Sequence, residues 1–191
     1  MAAEIREQTL EALADYASIR ILFSVSSRLR VDRIDGGMGG IRLSEEPVDP
    51  PYLKDYDALG DTPATWGRRF DTSNWTCFLA RDDGRPVGGA VVAWRTPGLH
   101  LLEGRDDLAV LFDIRVSPDR RRHGIGRELL NHAASWASQR QCRALKIETQ
   151  NVNVPACRFY AASGCRLVGV HPGAYRELPD EVMLLWCLDL R

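Results

Sequence analysis

Hydrophobic and polar positions fall into two periods along this 191-residue chain. Near the start, Leu10, Leu13, Ala14 and Ala17 recur at helical spacing, which predicts a helix over residues 1 to about 20. Ile19 to Ile34 alternates in part, through Phe23, Val25, Leu29 and Val31, and reads as extended. Asp35-Gly-Gly-Met-Gly-Gly40 is a flexible connection, without the glycine spacing and following helix of a nucleotide fingerprint. Ser44 to Trp66 is rich in Pro, Asp, Glu and Tyr and predicts loop with a short helix.

A more regular pattern begins at Trp75. Trp75 to Arg81 and Pro86 to Trp94 read as two strands joined by a hairpin turn at Asp82-Asp83-Gly84-Arg85. Leu108 to Val116 is almost wholly apolar, as a strand covered on both faces would be. A helix follows from about Gly124 to Arg140, with Ile125, Leu129, Leu130, Ala133, Trp136 and Ala137 on one stripe. Ala144 to Thr149 is a strand. Asn153 to Ser163 is a short helix, with Asn153 as cap, Pro155 in the first turn and Gly164 at the end. Strands at Arg166–Val170 and Val182–Leu188 close the chain. The order predicts one mixed α/β domain.

Composition narrows the function classes. A hydrophobic content of 45% and a charged content of 27% are those of a soluble globular protein. Neither a signal-peptide core nor an 18-residue apolar run occurs, so a cytoplasmic protein without a membrane partner is expected. The five cysteines are odd in number and form no C-x-x-C pair, which argues against a disulfide framework and a zinc site. No metal is expected. The net charge of −1 and the lack of basic stripes beyond Arg120–Arg122 argue against nucleic acid.

The turn Val116-Ser-Pro-Asp-Arg-Arg-Arg-His-Gly-Ile-Gly-Arg-Glu-Leu-Leu130 joins an apolar strand to an amphipathic helix. The first N–H groups of a helix have no internal partner and sit at the positive end of its dipole, so an anion can be held there. Gly124 and Gly126 admit a ligand close to the main chain, and Arg121, Arg122 and His123 add donors and charge. Neither a G-K-[ST] phosphate loop nor a complete G-x-G-x-x-G is present. What remains is the shorter pattern Arg121-x-x-Gly124-x-Gly126.

A second signature, Asn153-Val-Pro-Ala156-Cys-Arg-Phe-Tyr160, follows about thirty residues on. The two in this order resemble the GNAT superfamily of acetyl-CoA-dependent N-acetyltransferases, over roughly residues 70 to 190. Gly164-Cys165 stands where that family often has Gly-Phe. Ile147 to Cys157 also looks like the corresponding segment of streptothricin acetyltransferases, which acetylate an amine on the β-lysine arm of a cationic antibiotic. The resemblance implies a mixed, mostly antiparallel sheet with splayed central strands flanked by helices. It places the cofactor core at about 70–190, a substrate-side segment at 1–70, and allows a homodimer.

The resemblance also implies roles. Main-chain groups of Ile114, Arg115 and Val116 would bond pantetheine. Arg121, Arg122, His123, Gly124, Ile125 and Gly126 would hold the pyrophosphate, and Asn153 and Ala156 would lie at the cofactor. Tyr160 would be the acid for the departing thiolate. Direct attack by an amine needs aligned reactants and a proton acceptor. Glu148, opposite Leu145 and Ile147 in strand alternation, and Asp113, which interrupts an apolar strand, are the candidate carboxylates. Asp113 shares a face with Arg115, so a simple ion pair is its other reading. His123 and His171 are read as loop residues. The expected activity is acetylation of a small cationic amine, and the acidic segment from Glu45 to Asp61 could attract such a substrate. Acetylation of protein N-termini or lysines, or a silent acyl-CoA-binding module, are the alternatives.

Overall fold

A computed structural model describes residues 3–190. In chain order the strands and α-helices begin with β1 (Glu4–Gln8), α1 (Leu13–Ala17), β2 (Phe23–Arg33), β3 (Ile41–Lys54) and α2 (Pro63–Arg69). They continue with β4 (Thr76–Asp82), β5 (Arg85–Trp94), β6 (Leu108–Val116), α3 (Ile125–Gln139) and β7 (Ala144–Gln150). Helix α4 (Val154–Ala162), β8 (Arg166–Pro172) and β9 (Val182–Asp189) complete the set. The fold is mixed α/β with a mostly antiparallel sheet, as expected. No described helix is long and apolar enough to cross a membrane.

The chain divides into two compact units. Unit one takes the chain up to Leu22, Asp55–Ile147 and the chain from Cys187. Its strands lie in the order β1-β4-β5-β6-β7, antiparallel except for the parallel pair β6–β7. The β4–β5 hairpin turns at Asp83-Gly84, both at positive φ, as a tight two-residue turn requires. Alternate residues of these strands serve two cores. Cys77, Leu79, Val91 and Ala93 face Tyr16, Trp66 and Trp75. Phe112 meets Trp66 at 5.0 Å and Trp75 at 4.5 Å between ring centroids. The opposite face is covered by α3: a methyl on Gly88 would strike Ile125, whereas one on its neighbour Gly89 would strike Tyr16. Covering both faces explains why β4, β5 and β6 read as continuous apolar runs rather than as alternating ones.

Unit two holds Phe23–Lys54 and Glu148–Trp186. Its sheet order is β7-β9-β8, while β2 and β3 pair as a separate antiparallel ribbon. Helix α4 packs on β9 through Tyr160 and Trp186, whose rings lie 6.1 Å apart. Asn151, 4% exposed, ties three segments together. Its Nδ2 donates to the Leu29 carbonyl at 2.9 Å and its Oδ1 accepts from Val182 N–H at 2.8 Å. Its main chain bonds the same two residues.

Two expectations are corrected. The predicted N-terminal helix is shorter: Glu4–Gln8 is an edge strand on β4, and helical structure begins only at Leu10. The residues that carried the helical spacing all lie from Leu10 onwards. The segment from Ser44 was expected as loop, yet β3 runs through Pro47, Pro50 and Pro51 to Lys54. Proline is tolerated there because β3 pairs on one side only, with β2. The rest of the expected strands and helices lie within a few residues of their predicted places.

Replacing Asn151 by Ala leaves the Val182 N–H and the Leu29 carbonyl each short of a partner. The expected loss is about 2–6 kcal/mol, at 1–3 for each of two unmade bonds, read as a lower urea midpoint. An unchanged midpoint would show that water replaces both bonds.

Candidate active site

Within the ladder from Gly88–Trp94 to Ala109–Val116, β6 uses one residue more than β5. Val91 pairs with Asp113 and Val92 with Leu111, which leaves Phe112 as a bulge. On its other edge β6 pairs with β7 only from Leu108 to Leu111, and the parallel ladder ends next to that bulge. A bulge bends its strand and re-aims the residues after it. Ile114, Arg115 and Val116 follow, still paired to β5.

The chain then turns through a 3-10 segment, Pro118–Arg120, into α3. This 15-residue helix has no side-chain cap. Its cap position is Gly124 at φ 84°, where a Cβ would meet nothing within 4 Å. Arg122 is also left-handed, at φ 66°, and exposed. Arg121, expected to offer donors and charge to an anion, is engaged with the main chain. Its Nε donates to the Val116 carbonyl at 3.1 Å and its Nη2 to the Leu22 carbonyl at 2.7 Å. Burial lowers its pKa below the ordinary arginine value. Arg121 thus braces the loop against the end of β6. His123 is exposed and bonds the Arg121 carbonyl through Nδ1 at 2.8 Å. Ile125 is buried and Gly126 partly so.

Asp113 and Arg115 form an ion pair at 2.7 Å, the simple reading of their shared face. The guanidinium is 2% exposed and also binds both oxygens of Asp57, at 2.7 and 2.8 Å. Burial pushes Asp113 above its ordinary range, and Arg115 opposes the shift. Burial works against the charge on Arg115, yet its two carboxylates outweigh it and raise its pKa. The Tyr16 hydroxyl is buried near Asp113 and helps to hold its carboxyl down.

Glu148 stands in different company. Its Oε1 accepts from the Tyr175 hydroxyl at 2.7 Å, and that hydroxyl accepts from Gln150 Nε2 at 3.0 Å. Burial pushes the Glu148 carboxyl up, and the Tyr175 bond pulls it part of the way back. Burial, then the Glu148 charge, raise the Tyr175 hydroxyl. Asn153 caps α4 as expected, its Oδ1 accepting from Ala156 N–H at 3.2 Å. Tyr160 is buried on the same helix.

Each unit thus carries part of the predicted set. Asp113 to Gly126 belongs to unit one, and Glu148, Asn153, Ala156 and Tyr160 to unit two. Sequence reading missed Tyr175, Gln150 and Asn151. Only proximity in the fold reveals them, although two polar residues flanking an expected strand end were a signal. The acidic segment is largely neutralised: Glu45 pairs with Arg158, Glu46 with Arg28, Asp57 with Arg115 and Asp61 with Arg69. All five cysteines are buried free thiols.

Residues 42–165 match the acetyltransferase (GNAT) family. Over 160 residues the chain is 31% identical to a streptothricin acetyltransferase of Streptomyces lavendulae, covering 83% of this chain and 79% of that one. The crystal structure of a nourseothricin acetyltransferase superposes at a TM-score of 0.78, with 27% identity and both chains fully covered. A Bacillus anthracis protein described as a streptothricin acetyltransferase, in complex with acetyl coenzyme A, matches with the same TM-score of 0.78 and 27% identity, again over all of both chains.

The raised Glu148 pKa has a stability consequence. Between the unfolded carboxylate value, about 4.3, and the higher folded value, the folded state binds more protons than the unfolded one. Glu148 therefore lowers stability as pH rises through that window. Glu148→Gln is expected to gain melting temperature relative to the parent between pH 4 and neutrality, and to gain nothing from titration below pH 4. Parallel melting profiles across that range would contradict the shift.

Proposed function

Since the chain belongs to the GNAT family of acetyltransferases, we propose that it moves an acetyl group from acetyl-CoA to a primary amine of a small cationic molecule. A streptothricin-type antibiotic is the acceptor that its relatives favour, and resistance the role that follows. The observation that carries the reading is the uncapped start of α3. An N-terminus with no side-chain cap, an open glycine cap and an exposed arginine beside it has the donors and charge that a pyrophosphate needs.

Within this proposal the residues take the following parts. Backbone N–H groups from Arg122 to Gly126 hold the pyrophosphate, with Arg122 and His123 adding charge. Arg121 keeps the loop in shape. Alternate main-chain groups of Ile114, Arg115 and Val116 point away from β5 and suit pantetheine amides. Asn153 and Ala156 set the start of α4 at the cofactor. When bound, acetyl-CoA supplies the acyl group as a thioester. Residues 1–70 serve the acceptor side of one catalytic domain, and residues 70–190 the cofactor side.

Glu148 takes the proton that the ammonium must lose, directly or through water. A half-buried carboxyl with a raised pKa has the stronger pull for that proton. Tyr160 holds a hydroxyl proton for the departing sulfur. Asp113, the other candidate, is tied to Arg115, and we assign it to shaping β6.

The test is free-thiol release from acetyl-CoA with streptothricin, aminoglycosides, polyamines, lysine and short peptides. Release with streptothricin is expected, and Tyr160→Phe should slow it about a hundredfold, the low end of general acid–base contributions. Release with peptides alone would move the assignment to protein acetylation. Failure to bind acetyl-CoA in calorimetry would overturn the reading of the α3 loop.

A further inference from the structure

Outside the two signatures, the segment between β8 and β9 brings a phenol to a half-buried carboxylate. Tyr175 donates to Glu148 Oε1 at 2.7 Å, and Gln150 Nε2 donates to Tyr175 at 3.0 Å. The direction of this chain follows from chemistry. An ionised Glu148 only accepts, so the single Tyr175 proton goes to it, and Gln150 must supply an N–H. Gln150 and Glu148 alternate along the end of β7, so both present their side chains to the same side of the strand. Among the described residues, Glu148 Oε2 has no hydrogen-bond partner. One oxygen is fixed and the other is left to meet a proton.

We propose that Tyr175, backed by Gln150, is a positioning residue for Glu148: it holds the carboxylate in one orientation and keeps it ionised for proton transfer from the acceptor amine. This rests on the reading of Glu148 as the base. Burial and the Tyr175 bond are the two influences on the Glu148 carboxyl, and they oppose each other. The other charge acting on the phenol is that of Glu181, which is paired with Lys54. It is not among the influences on Glu148. The loop is anchored beside the site, because Val182 at its end is bonded to Asn151. A phenol suits the task because its raised pKa keeps it a donor through the working pH range, whereas a second carboxylate there would repel Glu148.

The experiment compares pH profiles of kcat/KM for the parent, Tyr175→Phe, Glu148→Gln and the double variant, using the amine that the thiol-release panel identifies. Tyr175→Phe keeps the ring and removes the hydroxyl. Expected are a loss of about tenfold or more, the size of one bond to a charged group, and a shift of the acidic limb to higher pH. Acetyl-CoA affinity stays unchanged. In the Glu148→Gln background the tyrosine change adds little further loss. Gln150→Leu, which leaves the tyrosine in place, shifts the limb the same way by less.

An active Tyr175→Phe variant with an unmoved limb, beside a crippled Glu148→Gln, overturns the positioning role and leaves the base in place. Full activity in Glu148→Gln overturns both. A second measurement needs no acceptor: carbon-13 titration of the Glu148 carboxyl, assigned by its disappearance in Glu148→Gln. Its midpoint should rise in Tyr175→Phe, and an identical midpoint overturns the proposal.

Discussion

The guanidinium of Arg115 is the constraint around which unit one is arranged. A cation 2% exposed needs partners for its charge and for its N–H groups. It has Asp113 on its own strand and Asp57 from the 3-10 turn Asp57–Leu59. It also lies over the Tyr16 ring, 5.2 Å from the centroid, which adds the α1 segment. Removing one partner of such a pair costs about 3–5 kcal/mol, because the other charge stays buried. The elements that cover one face of β6 are therefore bound to it by charge as well as by the aromatic packing of Phe112, Trp66 and Trp75. One residue beyond Arg115, the Val116 carbonyl receives the Nε of Arg121. Two arginines thus fix the strand end and the loop that leaves it, and the start of α3 inherits their placement.

Unit two reaches order by uncharged amide bonds and by ion pairs, with Lys54–Glu181 well shielded and Glu45–Arg158 nearer the rim. Asn151 joins β2 to the start of β9, and Gln150 beside it joins the end of β7 to Tyr175. These amides do not titrate, so they hold their share of the arrangement around Glu148 without a charge of their own. The acidic residues of β3 pair with arginines of β2 and α4. Most of that acidity is used locally, which weakens the idea of a broad negative surface drawing in a cation. The proposed cationic acceptor would then be recognised by a few placed carboxylates rather than by a diffuse field.

Legibility in the sequence followed the range of the physics. Strand β6 was readable to the residue, Leu108–Val116, because burial on both faces leaves an unbroken apolar run. The start of α4 was readable because capping is local: Asn153, Pro155 and the Ala156 N–H lie within four residues. The β4–β5 turn was readable for the same reason. Strand β1 was not, because its polar residues face solvent at a sheet edge and only pairing with β4 makes it a strand. Strand β3 was not, because its prolines argue against a strand unless one edge is known to be free. Tyr175 lies 27 residues from Glu148, and no periodicity connects them. The fold and both signatures were thus local information, whereas the partners that tune the carboxylates were not.

Those partners separate two carboxylates that sequence alone left as near equals. Both Asp113 and Glu148 sit in strands, and burial raises the pKa of both. Asp113 faces a guanidinium that remains charged at any working pH, so protonating it would cost a buried cation one of its two carboxylates. It is held ionised and immobile. Glu148 faces a hydroxyl, a neutral donor that favours the ionised form without demanding it. When Glu148 gains a proton, Tyr175 loses the better acceptor and no charge is left unpaired. A carboxylate that must take and return protons needs that second kind of partner. The choice between arginine and tyrosine as neighbour is therefore the physical difference on which the proposed roles, Asp113 as brace and Glu148 as base, rest.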